Sequence, residues 1–278
     1  MKNLADRYRT ALVTGASGGL GRAFSEMLRA EGLRVWGTAR DPARLPAGDG
    51  LVPVALDLAD PVSIEQAFRV AETAAGGLDL VINNAGYGLF GPFAEREFGG
   101  WRRQLDAMLV GTLHLSHLAL RGLLARNRGA LVNVSSLAAE FPLPFMSAYN
   151  VAKAGLSAFT ESLMVEVAGT GVIVIDFRPG DYRTDFNRTM QTHAENLPAA
   201  DTPAGLRVRR AWAALEANLR TAPPPTRAAT DLRGALRRGR SGTVRSGTWF
   251  QARLVPLMAR LAPPLWRRRI TARYFGSH

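Results

Sequence analysis

Short apolar runs alternate with longer stretches of helical periodicity through the first two-thirds of the chain. Thr10–Thr14 (TALVT), Arg34–Ala39 (RVWGTA), Leu51–Leu56 (LVPVAL), Leu78–Ile82 (LDLVI), Ala130–Ser135 (ALVNVS) and Val172–Phe177 (VIVIDF) read as strands. They are near-continuous in apolar residues, the pattern of strands covered by helices on both faces. Between them, Leu20–Ala30 puts Leu20, Phe24, Met27 and Leu28 on one side of a helix. Pro61 suits a first helical turn, with Asp60 as its N-cap. Longer helices are predicted over Phe98 to about Asn127 and over about Phe145–Ala168. Strand and helix in alternation predict βαβ units and a parallel sheet.

The pattern loosens after Pro179. Thr184–Arg220 reads as short helices broken at Pro198 and Pro203, and Pro223–Pro225 as an extended stretch. Beyond it, a helix, one last strand near Gly242–Trp249 and terminal helices are expected. They hold too little core for a domain of their own. The 278 residues are therefore read as one α/β domain, with 185–225 as lid helices over a substrate site. Residues 226–278 form a basic extension packed on that domain.

Composition sharpens this picture in three places. The 47% apolar content supports a sizeable core, and no run approaches eighteen apolar residues. The N-terminus enters the first strand without an apolar signal region. The absence of cysteine removes disulfides, thiolate nucleophiles and cysteine-ligated zinc, and it fits a cytoplasmic setting. The net charge of +12 is uneven: sixteen arginines and two acids follow Gly205, whereas the first 204 residues carry nineteen basic and twenty-one acidic side chains. Such a tail offers a surface for nucleic acid or anionic lipid. However, thirty-three arginines against two lysines is a bias that coding composition also produces.

The candidate chemistry begins with TGASGGLG, Thr14 to Gly21, directly after the first strand. Glycines there allow a tight turn and let a pyrophosphate approach a helix N-terminus. Arg40 and Asp41 follow the second strand, where dinucleotide folds meet the adenosine ribose. An arginine there accommodates the 2′-phosphate of NADP, and an acid bonds the 2′-hydroxyl of NAD. Arg40 favours NADP; Asp41 keeps NAD open. Tyr149-Asn-Val-Ala-Lys153 places a phenol and an ammonium on one helical face. With only two lysines in the chain, chance rarely produces this spacing. A cation beside the phenol is expected to lower its pKa and make it a usable acid or base.

Taken together, TGASGGLG, Asp57, Asn83-Asn-Ala-Gly86, Ser135-Ser136, Tyr149-x-x-x-Lys153 and Pro179-Gly180-x-x-x-Thr184 resemble the short-chain dehydrogenase/reductase family over about Thr10 to Thr184. The resemblance implies a Rossmann-like doubly wound domain with a seven-stranded parallel sheet. It also implies hydride transfer, of the 4-pro-S hydride in the reductive direction, between a nicotinamide and an alcohol or carbonyl. Tyr149 would be the acid/base and Ser136 would hold the substrate oxygen, while Lys153 would bind the nicotinamide ribose. Gly15, Ser17, Gly19, Leu20 and Gly21 would cradle the cofactor, Asp57 would meet its adenine, and Asn83, Ala85 and Gly86 its adenosine side. Pro179, Gly180 and Thr184 would contact the nicotinamide end. A homodimer or homotetramer is implied as well.

One position departs from the family pattern. Asp106-Ala-Met108-Leu-Val-Gly111 carries methionine where the family has an asparagine that holds a proton-relaying water. A thioether accepts weakly and donates nothing. Beside the oxidoreductase reading stands a second, a cofactor-binding regulator or scaffold with impaired catalysis. A third, nucleic-acid binding through the tail, has no aromatic platform or reading helix to support it. His114 and His117 lie three apart on a helix without an acid spaced to complete a metal site, so no metal is expected. Tyr87, Phe90, Phe93, Phe141, Phe145, Met146 and Phe186 are candidates to line an apolar substrate cleft. The segment from Thr248 to Phe275 mixes Trp, Phe and Leu with arginines. It reads either as terminal helices packed on the domain or as a peripheral membrane contact.

Overall fold

A computed structural model describes residues 3–45, 48, 50–184, 186, 190, 202–254, 256–257 and 263–275. Seven parallel strands form one sheet: β1 (Thr10–Val13), β2 (Arg34–Ala39), β3 (Leu51–Ala55), β4 (Leu80–Asn83), β5 (Gly129–Val134), β6 (Val172–Pro179) and β7 (Gly242–Ser246). Their order is β3-β2-β1-β4-β5-β6-β7. Strand β1 therefore pairs with both β2 and β4, and the chain reverses its direction of winding there. In open α/β sheets that reversal opens a crevice beyond the carboxyl ends of the strands. The predicted doubly wound sheet is present, with strand ends shifted by at most three residues.

The helices are α1 (Gly19–Ala30), α2 (Pro61–Ala75), α3 (Phe98–Leu105), α4 (Gly111–Ala125), α5 (Ser147–Glu166), α6 (Pro203–Arg220), α7 (Pro225–Arg238) and α8 (Pro264–Tyr274). Two cores lie on opposite faces of the sheet. One packs Phe24 and Leu28 of α1 and Leu232 and Leu236 of α7 against Val13, Val35 and Phe177. The other packs Ile64 of α2, Leu115 and Leu123 of α4 and Leu163 of α5 against Leu12, Val81 and Val174. Burial on both faces is why the strand sequences do not alternate. Local signals set the helix ends: Asp60 accepts the Val62 amide at 2.9 Å, Pro61 fills the first turn of α2, and Gly76 ends it at φ +65°.

Three features differ from the sequence expectation. Thr184–Arg220 contains an 18-residue helix, α6, because Pro203 opens it at a first turn capped by Thr202, where no amide is needed. Pro198 falls outside the described residues. The long helix from Phe98 to Ala125 is interrupted by a π-turn at Asp106–Val110, between α3 and α4. It is also long and apolar enough by composition to cross a bilayer, which no simple apolar run had indicated. Its packing against α2 and α5 over the sheet accounts for that apolarity.

Finally, the C-terminal quarter contributes to the core itself. Helix α7 packs along α1, and Arg237 reaches Glu31 at 2.9 Å. Strand β7 completes the sheet, and its Ser246 donates to Asp231 at 2.6 Å.

Candidate active site

The carboxyl ends of six strands converge on one cavity of about 1280 Å³. After β1 the chain turns through Gly15 at φ +67°, where an added Cβ would sit 2.9 Å from the Ala85 Cα. At Gly21 an added Cβ would lie 2.3 Å from the Gly15 carbonyl oxygen, so only glycine lets α1 start this close to the turn. Thr14 Oγ1 accepts the amides of Asn84 and Ala85, both at 2.9 Å, and Asn84 Nδ2 donates to the Thr14 carbonyl at 2.9 Å. These bonds clip the glycine turn to the loop after β4. Helix α1 begins after Gly18 without a side-chain cap, leaving its first amides directed at the cavity rim formed by Ser17, Gly18, Gly19 and Leu20.

Most of the sequence-predicted residues line this cavity: Gly15, Ser17, Gly19, Leu20, Arg40 and Asp57 on one side. Ala85, Gly86, Ser136, Tyr149, Lys153, Pro179, Gly180 and Thr184 continue the wall. Two expected contacts do not. Asn83 is buried and turned away, donating to Ser116 Oγ and Asn133 Oδ1 at 2.8 Å each. Gly21 lies beneath the turn, where its role is close packing. The side-chain amide that sequence reasoning passed over is Asn84, which does line the cavity.

At the end of β2, Arg40 and Arg44 both face the cavity. Asp41 also lines it, but its carboxylate accepts the Ala43 amide at 3.0 Å and caps the short turn Pro42–Arg44. Asp57 likewise accepts the Ala59 amide at 2.9 Å.

At the other end, Tyr149 and Lys153 stand one turn apart on α5, as their spacing required. Lys153 is buried; its Nζ donates to the Val134 carbonyl at 2.7 Å and lies 5.9 Å from the Tyr149 ring centre. Burial pushes the ammonium down to about 8, and the nearby Asp176 carboxylate holds it up in part. Burial pushes Tyr149 up to about 12, opposed by a hydrogen bond with Ser136 and reinforced by Asp181. The lowering of the phenol by Lys153 that the spacing implied is thus not realised in the chain alone. Lys153 is not among the groups that shift the phenol here; its ammonium is turned to a backbone carbonyl. Ser136 Oγ accepts the Ala138 amide at 3.0 Å and caps the short turn Leu137–Ala139, which fixes its hydroxyl at the cavity wall.

Below these groups is a buried network that no motif announced. Asp176 on β6 is fully buried, and both of its oxygens are satisfied. Ser135 donates to one, while Ser157 and the Arg178 Nε each donate to the other at 2.7 Å. Arg178 in turn pairs with Glu140 and Glu161, and Glu140 with Arg245 at 2.8 Å. Ser135 precedes Ser136 and Ser157 lies one turn beyond Lys153, so the carboxylate ties together the elements that carry both. Asp181, partly buried at the cavity wall, is raised by burial; Gln251 donates to it at 2.7 Å and opposes the shift.

Met108 occupies the π-turn, buried against the cavity wall. The Tyr87 amide points at its sulfur at 3.5 Å, and its Cε would be 3.1 Å from a Cβ on Gly86. It fills the wall beside Lys153 with apolar surface.

Leu143, Met146, Phe186, Met190, Leu215 and Leu219 add an apolar stretch to the remaining wall, which also carries Arg96, Arg103 and Asn218. Of the side chains proposed to line the cleft, Tyr87, Phe141, Met146 and Phe186 reach the cavity. Phe90 packs on Phe145 and Trp212, and Phe93 stacks on Trp101, so these three rings are structural. His114 lies 3.6 Å from Glu65, away from the cavity lining.

The order and pairing of these elements agree with what comparison with known proteins finds. The short chain dehydrogenase family profile matches residues 9–195. The chain belongs to the short-chain dehydrogenase family. It is 33% identical over 202 residues to the 3-oxoacyl-[acyl-carrier-protein] reductase FabG of Vibrio cholerae, covering 71% of this chain and 83% of that protein. It is also 32% identical over 177 residues to a probable NADP-dependent dehydrogenase of Haemophilus influenzae, covering 62% and 70%. A solved short-chain dehydrogenase/reductase of Burkholderia phymatum, in complex with NAD, shares the fold at a TM-score of 0.78 and 23% identity, covering 94% of both chains. As a short-chain dehydrogenase, the protein is an oxidoreductase. Its glycine cradle, uncapped helix start and open cavity fit a dinucleotide.

Proposed function

We propose that the protein is an NADP(H)-dependent reductase of hydrophobic carbonyl compounds, with Tyr149 as the proton donor. The observation that carries this is the single cavity joining two unlike ends. One end holds the glycine turn with Arg40 and Arg44, the other Ser136, Tyr149 and an apolar wall. The arginine pair favours a 2′-phosphate by charge-assisted, bidentate hydrogen bonding. Asp41, the residue that would favour NAD, already spends one carboxylate oxygen on its own backbone. The probable NADP-dependent relative points the same way.

When bound, the nicotinamide supplies the hydride that reaches the carbonyl carbon. The chain does the rest. Ser136 holds the carbonyl oxygen by its hydroxyl, and Tyr149, a neutral phenol whose pKa burial raises further, donates its proton to that oxygen as the alcohol forms. Lys153, largely an ammonium at pH 7, opposes the negative charge left on the phenol oxygen. The apolar wall excludes water and selects substrates without charge near the reacting carbon.

Fluorescence titration with NADPH and NADH tests the cofactor assignment. NADPH should bind more tightly, and Arg40→Ala should weaken NADPH by about tenfold or more while sparing NADH, as loss of a charged hydrogen bond predicts. Equal affinity for the two, unchanged by Arg40→Ala, would sink the assignment.

A further inference from the structure

The last forty residues carry a surface that the dinucleotide site does not explain. From Gly239 onward the sequence has eight arginines and no acidic residue. Arg240, Arg253, Arg268, Arg269 and Arg273 are exposed there. The same segment leaves large apolar side chains in solvent: Trp249 is 70% exposed and Trp266 60%, with Phe250, Leu257, Leu265 and Ile270 also outside the core. On α8 apolar and cationic side chains lie side by side. Trp266 and Ile270 lie four residues apart on one stripe, and Arg269 and Arg273 on the stripe beside it.

Part of this segment lines the cavity. Phe250 and Gln251, from the π-turn Phe250–Leu254, line the cavity, as do Ile270, Thr271 and Phe275 of the terminal segment. Trp249 and Trp266 neighbour those lining residues in sequence without lining the cavity themselves.

We propose that this C-terminal face docks on an anionic lipid bilayer, so that the apolar end of the cavity opens toward the membrane. Trp, Leu and Ile side chains insert at the level of the headgroups, and the flanking arginines bind lipid phosphate, which a guanidinium meets with paired hydrogen bonds. Charge complementarity selects this occupant over a second copy of the chain. Two such segments brought together would oppose arginine clusters that carry no acid of their own, whereas an anionic membrane neutralises them. The docking stands apart from the redox reading; only the consequence, capture of a lipid-dissolved carbonyl compound, rests on it.

The test uses the full-length protein and co-sedimentation with vesicles of phosphatidylcholine alone or with about 30 mol% phosphatidylglycerol, at low and high salt. No substrate is present, so the outcome is independent of turnover. The protein should pellet with the anionic vesicles, with a blue shift of tryptophan emission, and stay in solution with the neutral ones. Added salt should release it. Arg269→Ser with Arg273→Ser should weaken binding about fivefold per arginine. Trp249→Ser with Trp266→Ser should abolish the blue shift and cut binding by about tenfold, with circular dichroism and melting temperature unchanged.

Failure to bind anionic vesicles would overturn the proposal. So would binding that ignores both double substitutions. A concentration-dependent dimer that the tryptophan substitutions dissolve, without vesicle binding, would show that a second copy covers the face. Binding to duplex DNA as strong as to vesicles, and unaffected by the tryptophan substitutions, would assign the arginines to nucleic acid.

Discussion

The first 204 residues carry nineteen basic and twenty-one acidic side chains, whereas the last seventy-four carry sixteen arginines and two acids. The first region holds the glycine turn, the serine pair and the Tyr149–Lys153 helix. Nearly every one of its chemically distinctive residues is fixed by backbone demands, such as the 2.3 Å that separates a Cβ at Gly21 from the Gly15 carbonyl. The second region has no such motif, yet it is not an appendage. Helix α7 completes one core, β7 completes the sheet, and α6, the π-turn and α8 form part of the apolar cavity wall. The difference teaches a division of labour. The early region supplies the glycine turn and the Ser136–Tyr149–Lys153 grouping proposed to hold the dinucleotide and move the proton. The late region, freer in composition, shapes what reaches them.

The sharpest way to test that division is to remove one oxygen. Tyr149→Phe should lower kcat by about a thousandfold, the loss of a positioned proton donor, while leaving NADPH affinity within about twofold. A variant that keeps comparable turnover would take the chemistry away from α5. Next comes the claim that the late region is structural. Leu232 on α7 is fully buried, so Leu232→Ala should destabilise the whole domain by about 2–5 kcal/mol in a single denaturant transition. An early, separate transition for the tail would divide the molecule where the core says it is one.

The smallest effect is a pH dependence that singles out Lys153. Its pKa is pushed down to about 8 from the ordinary 10.5, so below pH 8 both folded and unfolded chains carry the proton and the folded state bears the cost of a buried charge. As pH rises from about 8 to 10.5 the folded chain has shed that proton while the unfolded chain still holds it. That cost, on the order of 3 kcal/mol, then disappears. Wild type should therefore gain stability relative to Lys153→Met across that window, measured by denaturant midpoints at each pH. A flat difference would mean that the ammonium is solvated or fully neutralised by Asp176.

How much of this could be read in advance follows the same boundary. Gly15, Asp57, Ser136, Tyr149, Lys153 and Thr184 were legible because a turn, a helix face or a family spacing constrains each of them locally. Asn83 was misplaced because neighbouring asparagines are alike in sequence, and only the pairing of β4 with β5 directs one toward Asn133 and the other toward the Thr14 carbonyl. Asp176 was read as one polar residue in the strand run VIVIDF. Its significance depends on Ser135, Ser157 and Arg178, up to forty-one residues away, meeting at one carboxylate.

Apolar periodicity, glycine placement and the i,i+4 pair are short-range properties, so the order of strands and helices and the seat of the dinucleotide were already written in the linear chain. Burial is a property of the assembled fold. It is burial that raises the Tyr149 pKa, turns Lys153 to a backbone carbonyl and sets Met108 into the wall, while long-range packing brings residues of the distant C-terminal segment into the cavity lining. Desolvation and long-range packing have no period along a sequence, and they exist only once the strands have chosen their neighbours.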